Sequence, residues 1–391
     1  MSVTRSLACA AVLALYAVPL CAQPQPESPE IAIHGIRPRR DPNELKLSAE
    51  QARRQAGTQD DPVKIIEDLP GLARAGFGAD QLVLWGAAPE DTRVYVDGVE
   101  IPQLFHGSGL RSTVNGDLLQ SVALSPGAFG ADYGRAIGGM VRLETRELLS
   151  DGYHATLDAS TLDASALVSA PVGERVRVAL AARYGLLDRT LSAVDAPDVG
   201  EFFAVPRYHD YQAKVRLALR ERESLEAVLL GSSDDLSRTA ANADPARALS
   251  VSTSSSFERV YLRYRRVYDD GSSAEVVPWF GRDEAQYSAR FASNPAELEQ
   301  STWRWGLRAE HRSRVASQVT LRLGFDAASS QARLERTGSL NIPAREGDLS
   351  VFGQPPGDDT NSDHWQATVL DAAPYAALDW DAGPLTLTPG L

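Results

Sequence analysis

Six histidines are the first residues to weigh for chemistry: His34, His106, His154, His209, His311 and His364. No two stand three or four positions apart, the spacing that sets two ligands on one helical face, so no metal site is predicted. Gly107-Ser108-Gly109 lacks the flanking pattern of a strand-to-helix nucleophile elbow. The acidic run Gly357-Asp358-Asp359-Thr360-Asn361-Ser362-Asp363 would attract calcium, but it has no spaced ligand loop with a closing glutamate. A solvated loop is the preferred reading there. No glycine-rich phosphate cradle ends in Lys-Ser or Lys-Thr. The residues therefore predict no enzyme: no catalytic residue, no metal and no cofactor.

The two cysteines, Cys9 and Cys21, fall within the N-terminal leader. Met1 to Arg5 starts positive, Leu7 to Leu20 is apolar, and Cys21-Ala22-Gln23 turns polar. That pattern is a secretory signal peptide over residues 1–22, cleaved after Ala22. A short membrane anchor and a lipid-modified Cys21 are the alternatives; the run is short for the first, and Leu20 is large for the second. With the leader removed no cysteine remains, so stability rests on burial and backbone ladders.

Against 39 basic residues stand 52 acidic ones, a formal net charge of −13. A nucleic-acid partner normally needs a basic stripe, and none is expected. Beyond the leader no stretch reaches the roughly 18 apolar residues of a membrane helix, so any membrane crossing is by strands.

The elements come next. Residues 23–44 form a polar, proline-bearing segment in which Glu30 to Ile36 alternates. Such a peptide can add to another protein's sheet edge, or serve as an ordinary first strand or linker. Residues 45–150 read as one α/β unit. Asp61-Pro62 starts a helix over Val63 to Leu69, which Pro70-Gly71 stops. Gln81 to Trp85 is a strand, and Thr92 to Ile101 a hairpin around Asp97-Gly98. A helical turn at Asn115 to Gln120 precedes a strand at Ser121 to Leu124. Gly138-Gly139 permits close approach before the strand Met140 to Arg146.

From 151 to 391 the pattern is long alternating strands. Val176, Val178, Leu180, Ala182 and Tyr184 oppose Arg175, Arg177 and Arg183; Tyr211, Ala213, Val215, Leu217 and Leu219 oppose Gln212, Lys214, Arg216 and Arg220. Trp303, Trp305, Leu307 and Ala309 oppose Arg304, Arg308, Glu310 and Arg312. Val319, Leu321, Leu323 and Phe325 oppose Thr320, Arg322 and Asp326, and Val260, Leu262 and Tyr264 oppose Arg259, Arg263 and Arg265. Alternation alone also fits a soluble sandwich. Short turns near 173, 222, 270, 315 and 382 alternate with long polar loops at 188–209, 234–256, 282–300 and 329–363, the membrane-barrel pattern. Arginine rows suit a wet or plugged lumen better than a sandwich core. Tyr184, Tyr211, Trp303 and Trp380 suit interfacial girdles.

Four ordered motifs carry a family resemblance. Leu69-Pro70-Gly71, then Asp91 to Val99 with Asp97-Gly98, then Ser121 to Gly134 with Pro126-Gly127 and Tyr133-Gly134, then Ala136 to Arg146 with Gly138-Gly139 resemble the plug of TonB-dependent outer-membrane receptors. Two departures stand out: Trp85 and Ser125 occupy positions where the family usually has arginine. The resemblance implies an α+β plug domain followed by an antiparallel transmembrane β-barrel, truncated here. At roughly 10 residues per strand a 22-stranded barrel would leave about one residue per connection, and about ten strands are counted. It further implies an outer-membrane receptor or transporter for a scarce solute (siderophore, cobalamin or oligosaccharide class) bound at extracellular loops. Its partners would be the TonB energy-transducing complex, at Glu30, Ile31, Ala32 and Ile33, and outer-membrane lipid. A non-transporting fragment or plug-type binding or signalling module is the alternative; a soluble carbohydrate-binding sandwich would make the motifs coincidence.

Overall fold

A computed structural model describes residues 44–74, 82–107, 109–148, 152–193, 205–240, 249–291, 294–338 and 362–391. The leader, the segment Glu30 to Ile36, Ser108 and most of the acidic run lie outside the described residues.

The first part builds a mixed sheet. Its strands are β1 (Leu45–Ser48), β4 (Thr92–Val96), β5 (Val99–Ile101), β6 (Leu119–Ser125) and β7 (Gly139–Thr145), in the order β1-β6-β7-β4-β5. Only the β4–β7 pair is parallel. A separate hairpin joins β2 (Leu72–Arg74) to β3 (Leu82–Leu84). Ser48 caps the short helix α1 (Ala49–Arg53), accepting from Gln51 N while Gln51 answers to the Ser48 N–H.

The helix expected at 63–69 is a 3-10 helix over Pro62–Asp68. Asp61 accepts from Val63 N at 3.0 Å and Leu69 N donates back to Ile66 O at 3.1 Å, an i to i−3 closure. Pro62 at the helix start and Pro70 just past its end bound it, and short connecting turns of this kind commonly take the tighter 3-10 form. The sheet and this turn bury Val63, Ile66, Leu84, Val96, Val99, Leu124, Val141 and Leu143. Each such side chain contributes roughly 1.5–3 kcal/mol on burial.

The second part is one sequential antiparallel sheet of eleven strands. Its first members are β8 (His154–Ala159), β9 (Asp163–Val172), β10 (Val176–Gly185), β11 (Val205–Arg220), β12 (Glu223–Ala240) and β13 (Leu249–Val267). β14 (Ser273–Phe291), β15 (Asn294–Ala316), β16 (Val319–Gly338), β17 (Ser362–Ala382) and β18 (Leu385–Leu387) complete it. A helix α2 (Leu187–Ala193) follows β10. The short turns near 173, 222 and 270 fall where the sequence places them, whereas the one expected at 313–317 lies at Ser317-Gln318, because Ser313 to Ala316 stay paired with β16.

The long loops do not fall where the sequence places them. The expected loop 282–300 is mostly hairpin arms, since β14 runs on to Phe291 and β15 starts at Asn294, while 188–193 lies in helix α2 and strand reaches 205–209 and 329–338. Likewise β12 and β13 stay paired from Arg266 up to Leu249. Ser252 to Ser256 is polar on both faces and carries no apolar alternation, yet its backbone groups still gain from the ladder.

The two faces sort as alternation predicts. Leu180, Val260, Phe280, Trp303, Trp305, Leu323 and Phe325 remain exposed on the outer face. Arg183, Lys214, Glu226, Arg259 and Arg263 are buried on the inner one. What buries them is the first part of the chain. Val228, Leu230, Phe257, Tyr261, Val277 and Trp279 from β12–β14 share one apolar core with the β4–β5 hairpin and the loop after it.

Candidate functional site

The β4–β5 hairpin tip is the first anchor. Asp97 and Gly98 sit at φ 50° and 83°, the pair of positive angles that a two-residue primed turn needs. Asp97 is placed by its neighbours: Thr145 N donates to Oδ1 at 2.9 Å and Thr145 Oγ1 to Oδ2 at 2.6 Å. From the long sheet Tyr261 Oη donates to Oδ2 at 2.8 Å, and Arg263 lies 2.8 Å from Oδ1. Glu226 receives Arg263 on one side and Lys214 Nζ on the other, the latter at 3.3 Å. Lys214 Nζ also donates to Thr145 Oγ1 at 2.8 Å and Arg146 O at 2.9 Å. Two buried carboxylates thus face two buried cations. Burial alone would raise the Asp97 carboxyl, but Arg263, Lys214 and the Thr145 hydrogen bonds hold it below the usual carboxylate range.

A second anchor surrounds Tyr133. Its ring lies 4.2 Å under the Arg308 guanidinium and 5.2 Å under that of Arg142, with Tyr95 tilted against it at 5.2 Å. Arg308 donates to Asp132 O at 2.9 Å, and Arg322 stands 3.5 Å from Asp132 and 3.1 Å from Asp379. Arg135 reaches back to Asp326 at 2.7 Å. The arginines predicted for the inner face therefore hold the compact domain.

The third anchor is His106, fully buried in the loop between β5 and β6. Nδ1 lies 3.0 Å from both carboxylate oxygens of Asp234, and Nε2 lies 3.1 Å from Asp210 Oδ2. Tyr208 stacks on the ring at 4.1 Å. Arg183 pairs with the same Asp210 oxygen at 2.8 Å.

The remaining motif residues are structural neighbours of these anchors. Gly71, at φ 87°, meets the Trp85 ring, which a Cβ would strike at 2.6 Å, and Trp85 N donates to Gly71 O at 2.7 Å. Leu69 packs against the core, while Pro70 is exposed. Pro126 and Gly127 leave β6, and Gly134, next to the packed Tyr133, is exposed. A Cβ on Gly138 would meet Ala87 at 2.6 Å and one on Gly139 would meet Leu84 at 1.9 Å, so both glycines are needed for close packing. Trp85 is largely exposed and Ser125 is buried; neither position supplies a cation. Asp97, Gly98 and Tyr133 are brought to the long sheet, and the other motif residues shape the domain behind them. Glu30, Ile31, Ala32 and Ile33 lie outside the described residues.

His106, Asp210, Asp234 and Glu226 were not singled out by sequence. Asp234 falls in a stretch expected to be loop, and His106 has no ligand-spaced neighbour. Alternation along β11 does place Asp210 beside Gln212 on the inner face, the one signal that pointed there.

Chemically the arrangement is a set of ion pairs and hydrogen bonds that can break and reform. Among the described residues no group of three or more histidine, cysteine or acidic side chains is placed to hold a metal.

Comparison with known proteins places this geometry. The profile of the TonB-dependent receptor plug domain matches residues 43–140. Among curated proteins nothing matches. Solved structures do: the unliganded ferric citrate transporter FecA, at 13% identity and a TM-score of 0.62, over 89% of this chain and 55% of that one. The siderophore receptor PirA from Acinetobacter baumannii matches at 13% identity and 0.58, over 89% and 56%. The ferric yersiniabactin uptake receptor FyuA from Yersinia pestis matches at 12% and 0.54, over 87% and 62%. The chain spans little more than half the length of these structures. Its fold is that of a plugged β-barrel receptor. Residues 43–140 belong to the TonB-dependent receptor plug domain, and the chain as a whole shares the fold of these receptors.

Proposed function

We propose that this chain supplies the plug and eleven barrel strands of an outer-membrane transporter that takes up a scarce solute using energy delivered by TonB. The observation that carries the reading is the plug's seat: its hairpin tip and apical loop sit on the charged inner face of the sheet. The outer face of the same strands leaves Leu180, Phe280, Trp303, Leu323 and Trp380 exposed. An apolar band with aromatic edges suits lipid, and a polar lumen filled by a folded domain suits gated passage. Residues 1–22 direct export. Glu30 to Ile33 pair with TonB, which pulls on the plug and disturbs the ion pairs that seat it. The solute belongs to the siderophore, cobalamin or oligosaccharide class and binds first at the external loops.

The test is uptake. Cells carrying or lacking the gene would be fed labelled ferric siderophores, cobalamin and oligosaccharides, with and without a protonophore. Gene-dependent uptake of one of these that the protonophore abolishes is expected. Recovery of the protein from the soluble periplasm rather than the outer membrane would overturn the reading.

A further inference from the structure

Arg183 donates to Ser112 O, Gln212 Nε2 to Thr113 O at 3.2 Å and Lys64 Nζ to Gly109 O at 3.4 Å, and to these fixed holds on the plug's apical loop His106 adds one whose charge changes near neutral pH. Both ring nitrogens of His106 face carboxylates: Asp234 on β12 at 3.0 Å and Asp210 on β11 at 3.1 Å. A neutral imidazole has one N–H, so one nitrogen would turn a lone pair toward a carboxylate. Only the imidazolium donates to both. We propose that His106 is a proton-operated latch, which as an imidazolium ties the plug loop 102–115 to β11 and β12 and on losing its proton lets that loop go.

The surroundings decide how much depends on that proton. Asp210 keeps a second cation, Arg183 on β10, and accepts from Gln212 Nε2 at 3.4 Å. Among the described residues Asp234 receives only neutral donors besides the histidine, Gln103 Nε2 at 3.3 Å and Gly107 N at 3.2 Å. Tyr208 covers the ring and donates to Asp163 on β9 at 3.0 Å, and Asp163 is held by Arg111 of the loop at 2.7 Å. Asp61 fixes the far side of the loop through Ser112 N at 2.7 Å. Deprotonation therefore strands the Asp234 carboxylate, itself almost fully buried, without a cation. The loop has little slack, since a Cβ at Gly107 would already meet Leu236 at 2.5 Å.

Burial disfavours the charged ring, but the hydrogen bonds and charges of Asp210 and Asp234 outweigh it and raise the histidine above its ordinary value. The latch is therefore closed below the raised value and opens as pH rises through it. Lysine or arginine in this place would never open within that range.

The proposal rests on the fold alone and not on the transport reading, so the test needs no solute. Full-length receptor extracted from the outer membrane is followed by hydrogen–deuterium exchange from pH 6 to pH 10, corrected for intrinsic exchange rates. The amides of Gly107 and Asn115 are expected to exchange at least tenfold faster at the alkaline end, while those of β6 and β7 stay protected. His106→Gln should exchange at the fast rate at every pH. Asp234→Asn should move the release to lower pH by about one unit or more. Independently, 15N spectra of histidine-labelled wild type should show both His106 ring nitrogens protonated at pH 7. A neutral ring at pH 7, or wild-type protection that is flat across the range, overturns the proposal even if either variant fails to fold.

Discussion

Asp97, at the tip of the plug hairpin, and Arg263, on the inner face of β13, lie 2.8 Å apart with both side chains almost completely buried. Neither charge has water to fall back on, so each depends on the other and on Glu226, Lys214, Thr145 and Tyr261 around them. The plug is fastened at this point by paired charge rather than by apolar area alone.

Removing one partner should show it. Asp97→Ala leaves Arg263 and Lys214 facing Glu226 alone, and breaking such a buried pair costs about 3–5 kcal/mol. Denaturant unfolding of the full-length protein, followed by tryptophan fluorescence, is the measurement. A loss below about 1 kcal/mol would mean the cations are compensated elsewhere.

The same pair sets an acid limit. Because the Asp97 carboxyl is held below its unfolded value, its contribution is full at neutral pH and is lost as pH falls through the depressed value. Asp97→Asn should therefore flatten the acid limb of a stability–pH curve while lowering stability at pH 7. An unchanged acid limb would assign acid sensitivity to other carboxylates.

Gly98 occupies φ 83°, and a Cβ there would touch Arg308 Cδ at 3.4 Å. A β-branched residue is strained by the angle itself, so Gly98→Val should destabilise by about 1–2 kcal/mol. Gly98→Ala should cost less than valine. Equal melting temperatures for wild type and both variants would place the turn elsewhere.

Gly139→Ala tests close packing rather than backbone angle. The new methyl would stand 1.9 Å from Leu84 Cδ2. Overpacking of this kind costs about 1–3 kcal/mol, and Gly139→Ala combined with Leu84→Ala should recover part of it. A double variant less stable than the sum of the two singles would refute the contact.

Depth along β16 gives the last prediction. Val319 pairs with Trp380 near the short turns, and Gln331 pairs with Trp303 toward the other end. Phe325 lies midway and outward, so Phe325→Arg places charge at the proposed bilayer midplane and costs about 2–4 kcal/mol of assembly. Leu321→Arg, near the edge, should cost only about 0–1 kcal/mol. Heat-modifiable mobility of the receptor in outer-membrane fractions reports assembly. Equal tolerance at both positions would argue against lipid on that face.

Local signals made much of this fold legible. Asp97-Gly98 announces its turn because two positive angles demand those residue types, and Leu323 beside Arg322 announces two faces because side chains in a strand alternate. Distance hid the rest. His106 meets Asp210 and Asp234 across 104 and 128 positions of sequence, and a lone histidine carries no local trace of such partners. Ser252 to Ser256 concealed the outer part of β13 for a different reason. A segment polar on both faces has no hydrophobic period, although its backbone is paired with Ser237 to Ser233 on β12.

The length of those polar arms has a consequence of its own. From Trp303 up to Asn294, β15 climbs roughly 20 Å at about 3.3 Å per residue and a 45° tilt. Its neighbours β12 to β17 climb with it, laddered to one another. On the proposed outer-membrane reading, a solute arriving at that end meets a stiff palisade of paired strands before it meets the plug, and bulk is sorted there ahead of any affinity.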